Sequence, residues 1–460
     1  MGFKGISDLI TSRREEYLEQ LFTLLRQKSI SAQNIGIEEC ALLVKELMKE
    51  AGIKNTSLME TDGYPVVYGE MIQDPEALTL LIYGHYDVQP PDPVEEWLTP
   101  PFEPTIRDGK IFCRGVGDNK GQLLAQVLAI KTYLDHYGSL PINIKFLFEG
   151  EEENGSKNLA SFIEKNKDML KADLVYTSDG PMHDSGAPYV LLGVRGMLYI
   201  EMTTKGANWD NHAGNKGNIV PNPAWRLVNL LNTMYDKHGH ILIEGFYDHI
   251  RQPSEREKRI MKNLPFDLNQ VAEGIGYKDL DMDGETYYNK LTMKPTFNIA
   301  GFTSGYSGKG MKTIIPSEAT VKMDMRVVVD QDPKDIYEKV CSHVQKYAPD
   351  VEVKYLGDMI PSRTSTENKL VEVVTKAVHD SYNQEPVLQP SLGGSLPDYV
   401  WTKILGLPSV IVPYANFDEA NHSPNENMNV ENFFNGIHCT CHVINYLGNY
   451  TKKSSNTLIS

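Results

Sequence analysis

The feature that most constrains the fold of this chain is a series of short apolar runs, each of which stops at a cluster of glycine with acidic or histidine residues. The clusters are Gly84-His85-Tyr86-Asp87, Gly117-Asp118-Asn119-Lys120-Gly121, Glu149-Gly150-Glu151-Glu152-Glu153 and Ser178-Asp179-Gly180. In an open α/β sheet, ligands bind just outside the carboxyl ends of the strands. Strand ends that offer imidazole and carboxylate groups predict one site with hard ligands for metal ions, and hence a hydrolase.

Before Gly193, segments with strand and helix periodicity alternate, which predicts an α/β domain with a mostly parallel sheet. After Gly193 the pattern changes, because 196–205 and 319–328 alternate in period two, as half-exposed antiparallel strands do. The predicted strands are 65–72, 77–84, 142–148, 172–177, 196–205, 319–328, 350–356 and 409–413. The predicted helices are 7–27, 37–51, 120–135, 156–167, 223–235, 334–346, 366–381 and 429–447.

The change of pattern divides the chain into two predicted domains. We expect an α+β domain over 192–360 that is inserted into a domain made of 1–191 and 361–460. The insertion also contains a polar, charged stretch over 251–290 and a glycine-rich loop over 301–310. The inserted-domain organisation requires the last segment of the chain to return to the first sheet.

Composition excludes several classes of partner. A net charge of −16 argues against nucleic acid and against an anionic membrane surface. The five cysteines are odd in number and irregular in spacing, so no disulfide framework is expected and a reducing compartment is the simpler interpretation. No secretory signal and no run long enough to span a membrane is visible, and we therefore predict a cytoplasmic protein.

His85 and Asp87 are the first candidates for a metal site. A histidine that binds a metal usually gives its other ring N–H to a carboxylate, and the His-x-Asp spacing could supply both groups. The alternative is a buried histidine that is merely hydrogen-bonded to Asp87. Asp118 lies between glycines and could bridge two cations with its two oxygens, or it could instead cap helix 120–135.

Glu151, Glu152 and Glu153 are three adjacent carboxylates directly after an apolar strand, where they repel one another. A cation would relieve the repulsion, with one glutamate as a ligand and its neighbour as general base for a water molecule. A solvated acidic helix start is the alternative. Asp179 is a further candidate ligand, or a turn residue before Gly180-Pro181.

His422 is the candidate ligand that lies farthest along the chain. It would join the others only if its loop folds back on the first sheet. The segment His438-Cys439-Thr440-Cys441-His442 resembles a metal cluster, but it lies inside an amphipathic helix, where packing explains it better.

Three features are candidates for substrate contact. Arg326 ends a predicted strand and could hold a substrate carboxylate, although a surface salt bridge is the alternative. Gly394 and Ser395 belong to a glycine-rich loop whose N–H groups could bind a carboxylate, or which could be only a turn. His212 lies in the predicted insertion.

At these residues the chain resembles the co-catalytic metallopeptidase and aminoacylase family. That family includes cytosolic nonspecific dipeptidase, carnosinase, acetylornithine deacetylase and succinyl-diaminopimelate desuccinylase. The matching motifs are Gly84-His85-Tyr86-Asp87-Val88-Gln89-Pro90, Arg114 to Gly121, Glu152-Glu153-Asn154-Gly155-Ser156 and His422, and the resemblance covers nearly the whole chain. The His-Tyr-Asp-Val-Gln-Pro form looks most like the dipeptidase branch.

The resemblance implies two divalent metal ions that share Asp118. His85 and Asp179 would complete one ion site, and Glu153 and His422 the other. The family register makes Glu152 the general base and leaves Glu151 without a role. Zinc is the expected metal, with manganese or cobalt as alternatives.

The resemblance also implies an inserted lid and dimerisation domain, and therefore a homodimer. His212 would reach the active site of the partner subunit, and Arg326 with the Gly394–Ser395 loop would hold the substrate's C-terminal carboxylate. Domain closure is expected from a hinge near 191–194 and 358–364. The expected substrate is a dipeptide or short peptide, cleaved by a water molecule that Glu152 activates. Deacylation of N-acyl amino acids is the second hypothesis, and a non-catalytic metal-binding dimer is the third.

Overall fold

Three α-helices lead into five strands, after which α-helix and strand alternate from residue 120 to residue 177, in the computed structural model, which describes residues 3–450. The strands are β1 (Asn55–Met59), β2 (Val66–Met71), β3 (Thr79–His85), β4 (Thr105–Arg107), β5 (Lys110–Phe112), β6 (Asn143–Glu149), β7 (Leu174–Thr177), β8 (Tyr189–Leu191), β9 (Gly193–Val194), β10 (Gly196–Lys205), β11 (Asn211–His212), β12 (Asn298–Ser304), β13 (Ile314–Ile315), β14 (Glu318–Val327), β15 (Glu352–Met359), β16 (Ser362–Arg363), β17 (Val387–Gln389), β18 (Ser409–Ile411) and β19 (Asn427–Asn429). The helices are α1 (Lys4–Ser12), α2 (Arg14–Arg26), α3 (Ile37–Glu50), α4 (Lys120–Tyr137), α5 (Leu159–Lys165), α6 (Ala213–Lys216), α7 (Pro223–Met234), α8 (Glu255–Lys262), α9 (Leu268–Gly274), α10 (Gly284–Met293), α11 (Pro333–Tyr347), α12 (Lys369–Tyr382) and α13 (Val430–Asn449).

An eight-stranded sheet, in the order β1-β2-β6-β3-β7-β18-β8-β17, positions the polar clusters. Its central strands β6, β3, β7 and β18 run parallel, whereas β1 and β2 form an antiparallel edge. Strands β3 and β6 are buried on both faces and therefore read as continuous apolar runs. The prediction of an α/β fold with a mostly parallel sheet is confirmed.

The register of the central strands brings their carboxyl ends together. His85 of β3 lies opposite Glu149 of β6, and Tyr83 of β3 lies opposite Thr177 of β7. The loops that follow these three strands therefore leave the sheet at one edge, where the predicted ligands lie.

Helices α4 and α13 pack against each other within the main core. The segment from His438 to His442 lies in α13, where Cys439 and Cys441 are buried and the ring of His442 stacks on Phe3 at 3.7 Å. Packing therefore explains these residues, as the sequence indicated.

A second, four-stranded sheet in the order β12-β14-β10-β15 is antiparallel throughout. In β14, alternate residues are buried beneath α7 and α11, and the intervening residues, Asp324 and Arg326 among them, are more exposed. This alternation is the period-two pattern of the sequence. The connection back to the first sheet is compact, because β9 and β16 pair side by side.

The predicted domain boundaries at residues 192 and 360 stay predictions, although every strand of the four-stranded sheet lies between them. Residues 1, 2 and 451–460, which the prediction assigns to the first domain, lie outside the described residues. Among the residues that are described, no helix has both the length and the apolar character needed to cross a membrane.

Four predicted elements differ from the structure, one of them the glycine-rich loop predicted over 301–310, whose first four residues belong to β12. The helix predicted over 7–27 is interrupted at Arg13, whose N–H binds the carbonyls of Leu9 and Ile10, and both halves keep one buried face. An apolar period cannot reveal such a one-residue break. The helix predicted over 156–167 begins only at Leu159, because Ser156 has a φ of 47°. The polar stretch 251–290 contains three short helices, capped by Ser254, Asp267 and Asp283.

Candidate metal centre

Three predicted ligands meet at the carboxyl edge of the large sheet. His85 Nε2 lies 3.1 Å from Asp118 Oδ1 and 3.6 Å from Asp179 Oδ2. All three side chains are buried, and the ligand atoms of the three lie within 4.8 Å of one another. His85 Nε2 has no hydrogen-bond partner of adequate geometry among the described residues. The nitrogen therefore faces carboxylates in the manner of a metal ligand.

A second group of three shares Asp118 with the first. His422 Nε2 lies 3.1 Å from Asp118 Oδ2 and 3.1 Å from Glu153 Oε2. The two oxygens of Asp118 thus face different histidines. His422 comes from the loop between β18 and β19, so the last part of the chain does fold back on the first sheet.

Asp118 does not cap α4, so that alternative is wrong. Asn119 is the residue at the N-cap position, and its side chain crosses to the neighbouring strand ends. Asn119 Nδ2 donates to the carbonyl of Ser178 at 2.6 Å, and Asn119 Oδ1 accepts from the N–H of His85 at 3.4 Å. These bonds fix the start of α4 against β3 and β7, which leaves the Asp118 carboxylate free for the centre.

Glu426 holds the loop of Asp118 from the other side. Its buried carboxylate accepts hydrogen bonds from the backbone N–H groups of Gly115, Gly117 and Asp118 at 3.0–3.1 Å. Arg114 Nη1 donates to the same carboxylate at 2.8 Å. Gly115 has a φ of 87°, a conformation that glycine adopts without strain. Because Glu426 and His422 share one loop, these bonds also position the exposed histidine.

Asp87 connects the first histidine to the glutamate loop. Its carboxylate accepts from the N–H groups of Glu152 and Glu153 at 3.2 and 3.1 Å, and it lies 3.3 Å from His85 Nδ1. The backbone carbonyl of Asp87 also lies 3.1 Å from His85 Nδ1. The aspartate therefore supports the orientation of the ring and the position of both glutamates.

The three adjacent glutamates have different surroundings. Glu151 turns away from the centre and accepts from Asn158 Nδ2 at 2.9 and 3.1 Å, which gives it a structural role. Glu153 Oε2 accepts from Gln89 Nε2 at 2.9 Å and faces His422. Glu152 makes no side-chain hydrogen bond with the described residues, and burial with nearby carboxylates raises its pKa well above the ordinary value.

Without cations the centre is electrostatically unbalanced. Burial and Asp118 raise the pKa of Glu153 to about 6, and burial raises the pKa of Asp179. Hydrogen bonds to Asp118 and Glu153 raise the pKa of His422 to about 10. Burial alone would raise the pKa of Asp118, but contact with both histidines holds it below its usual range. Bound cations would displace the protons of the imidazoles and offset the negative charge of the crowded carboxylates. The residues therefore fit a dinuclear centre.

Comparisons with known proteins decide the family. The family model described as Peptidase family M20/M25/M40 matches residues 81–446. This chain belongs to that peptidase family. Cys-Gly metallodipeptidase dug1 of Schizosaccharomyces pombe is 28% identical over 97% of this chain and 98% of that protein. Human Beta-Ala-His dipeptidase is 30% identical over 81% of this chain and 75% of that protein.

Solved structures of M20 relatives agree in fold. The M20 family metallo-carboxypeptidase Sso-CP2 of Sulfolobus solfataricus has a TM-score of 0.87 and 37% identity, covering 94% of this chain and 99% of that one. Human carnosine dipeptidase 1 has a TM-score of 0.80 and 26% identity, covering 98% and 100%. The metallopeptidase family and the dipeptidase-like branch expected from the motifs are confirmed.

Of the residues expected to bind substrate in this M20 peptidase, Arg326 and Ser395 lie in contact, whereas His212 lies apart from them. Arg326 Nη1 donates to Ser395 Oγ at 2.9 Å, so the guanidinium and the loop of Gly394 do meet. His212 is exposed in a short strand, and its Nδ1 accepts from the N–H of Gly214 at 3.1 Å. Within one chain His212 is not in contact with the ligand groups, and its role stays a prediction.

Several residues of the M20 site were not found from the sequence. Glu426 and Asn119 hold the loop of Asp118, and Glu419 is a buried carboxylate against Gly117, where a Cβ atom would lie 2.3 Å from Glu419 Oε2. Gln89 and Asn119 had a signal, since both lie inside the quoted family motifs, although neither was assigned a role. Glu419 and Glu426 carry no pattern that separates them from ordinary loop residues.

Proposed function

We propose that this M20 peptidase hydrolyses dipeptides or short peptides with a free C-terminal carboxylate, using two divalent cations. The observation that carries the proposal is the placement of Asp118 between two ligand groups, with the Glu152 side chain beside them and without a hydrogen bond to any residue that the structure describes. The activities named for the dug1 protein and for human Beta-Ala-His dipeptidase support this substrate class.

The residues that would hold the cations are those of the two groups. His85 and Asp179 would bind one ion, Glu153 and His422 the other, and Asp118 both. Mixed imidazole and carboxylate ligands suit zinc best, with manganese or cobalt as alternatives. When bound, the cations would supply Lewis acidity that lowers the pKa of a water molecule and polarises the scissile carbonyl.

Glu152 is the proposed general base. Its side chain lies among the ligand groups and makes no hydrogen bond to a described residue, so once cations offset the crowded negative charge its carboxylate is available to accept a proton from the attacking water. The same group then returns the proton to the leaving amine nitrogen. Asp87 keeps Glu152 in place through the backbone N–H of that residue.

The substrate's C-terminal carboxylate is assigned to Arg326 with the loop of Gly394 and Ser395. The bond from Arg326 to Ser395 supports this assignment, because it holds the guanidinium against the glycine-rich loop. His212 is assigned to the active site of a partner subunit, where it would stabilise the developing oxyanion.

A homodimer through the inserted part of the chain is consistent with its exposed apolar side chains. Trp209, Ile219, Trp225 and Met311 are between 66% and 99% exposed, an arrangement typical of an interaction surface. We also propose that the two predicted domains close on each other about the paired strands β9 and β16. The free cysteines suit a cytoplasmic location. Light scattering tests the dimer directly, and a monomeric mass at micromolar concentration would exclude it.

The decisive experiment replaces Glu152 by Gln. Because the substitution keeps the shape and removes the base, turnover of a dipeptide should fall by about 10²- to 10⁴-fold while metal content stays at two ions per chain. The matched control is Glu151→Gln, since Glu151 binds Asn158 and faces away from the centre. A panel of dipeptides against N-acetyl and N-succinyl amino acids, assayed on the wild type, separates peptidase from deacylase activity. Retained turnover in the Glu152 variant, or loss of its metal, would exclude the role.

A further inference from the structure

A cleft of about 1020 Å³ lies beside Arg326, and its charge is opposite to that of the whole protein. Arg195, Lys290, Lys294 and Arg326 line it, and Asp324 is the one acidic residue among the lining residues. The chain as a whole carries a net charge of −16. Such a local excess of cations, with one carboxylate among them, is a site for an anion.

Arg195 ties this cleft to the proposed carboxylate-binding loop. Its Nε donates to the carbonyl of Gly393 at 2.9 Å, and its carbonyl accepts from Ser395 Oγ at 2.7 Å. Arg195 Nη1 donates to the carbonyl of Lys294 at 3.3 Å. The loop that meets Arg326 and the backbone that carries Lys294 are therefore held by a single guanidinium, which makes Arg195 a positioning residue.

The cationic charge in the cleft is poorly compensated. Arg195 is buried, and desolvation together with the charge of Arg326 lowers its pKa to about 10. Asp324 Oδ1 lies 3.6 Å from Arg326 Nε, so its negative charge is paired with that guanidinium. Lys290 and Lys294 make no ion pair with any residue between 3 and 450. Two ammonium groups thus remain for a ligand after Arg326 has taken one carboxylate.

We infer that this cleft binds the acidic side chain of the substrate's C-terminal residue, so that the enzyme prefers dipeptides that end in aspartate or glutamate. The inference rests on the proposed function, since it places the main-chain carboxylate at Arg326 and Ser395. The second carboxylate then lies toward Lys290 and Lys294. A dianionic C-terminal residue uses all the cations of the cleft, whereas a neutral residue leaves the lysines without a partner.

The test compares two dipeptides that differ in one charge, Ala-Glu and Ala-Gln, with metal-loaded enzyme at low ionic strength. In kcat/KM, Ala-Glu should be favoured over Ala-Gln by about fivefold, which corresponds to about 1 kcal/mol from partly exposed ion pairs. The double variant Lys290→Met/Lys294→Met keeps the aliphatic chains and should bring the ratio near one. Lys278→Met, at an exposed lysine outside the cleft, is the matched control and should keep the wild-type ratio.

Each outcome decides between the two proposals. Equal kcat/KM values for Ala-Glu and Ala-Gln in the wild type, or an unchanged ratio in the double variant, overturn the acidic-substrate inference and leave the dipeptidase proposal standing. A preference for Glu-Ala over Gln-Ala of the same size would also overturn it, because the acidic side chain is then read at the other end of the substrate. Hydrolysis of none of these peptides overturns both proposals.

Discussion

The two candidate ion sites share Asp118 but are built in different ways. The first site uses His85 and Asp179 at the ends of β3 and β7, and their side chains are 0% and 6% exposed. The second site uses His422, whose side chain is 55% exposed and which lies in a loop with a φ of 56°. A site built on buried parallel strands is held by the core of the protein, whereas a site completed by a loop depends on a few hydrogen bonds.

The difference indicates which half of the centre is rigid. Asn119 bonds to both strand ends beside the first site, whereas the loop of His422 is tied down by surface hydrogen bonds of Asn425 and by those of Asn427 and Glu426. We therefore expect the ion near His422 to exchange more readily than the ion near His85, since local opening of a surface loop costs less than opening of a core strand.

Removing the shared ligand should have the largest effect. Asp118→Asn takes one carboxylate from both sites at once, so metal content should fall below one ion per chain. Several kcal/mol of transition-state stabilisation depend on the ions, so turnover should fall by at least about 1000-fold. Metal analysis and dipeptide hydrolysis measure both effects. Two tightly bound ions in the Asp118→Asn enzyme would show that Asp118 is not a ligand that both sites require.

Replacing each histidine separately should expose the asymmetry. His85→Asn and His422→Asn should each lose one ion, but only His85→Asn should destabilise the metal-free protein strongly. In that variant the buried carboxylate of Asp179 loses its imidazole partner and that of Asp118 loses one of two, which costs on the order of 3 kcal/mol. The imidazole of His422 is 55% exposed although its carboxylate partners Asp118 and Glu153 are buried, so its loss should cost less, about 1 kcal/mol.

Urea unfolding in the presence of a chelator measures this difference in the free energy of unfolding. Equal losses of stability in the two histidine variants would show that the loop-built site is as rigid as the strand-built one.

A smaller, pH-dependent effect should come from Glu149, on the buried side of the centre. Glu149, opposite His85 in the register, accepts from Tyr83 and Ser156, and burial raises its pKa from 4.5 to about 7. The folded state then binds more protons than the unfolded state between these pH values, so stability falls as the pH rises from about 4.5 to about 7.

In the metal-free protein, the free energy of unfolding should decline with pH by on the order of 2 kcal/mol less in Glu149→Gln than in the wild type. Parallel unfolding curves at pH 5 and pH 7.5 measure it. Glu60→Gln, at an exposed glutamate, is the matched control and should decline with pH as the wild type does. A decline of the same size in Glu149→Gln as in the wild type would assign the effect to other groups.

Much of the fold could be predicted because its signals are local. The buried strands β3 and β6 appear as continuous apolar runs, and β10 and β14 as alternation in period two. The break at Arg13 could not be predicted, since both helices around it keep their apolar residues on the core side. The candidate ligands of the first sheet were conspicuous as acidic and histidine residues where apolar runs stop, whereas His422 lies in a loop without that signal. The division of the ligands between two ions came from the family resemblance.

The sequence by itself determined the alternation of strands and helices, the family motifs and the chemical types of the ligands, because each depends on residues close together in the chain. Only the tertiary structure decided that His422 meets Asp118 across more than three hundred residues, and that Glu426 and Asn119 hold the loop between them. It also placed Lys290 and Lys294 beside Arg326. Contacts between distant segments depend on how the core packs, and packing leaves no mark in the short-range pattern of the residues it brings together.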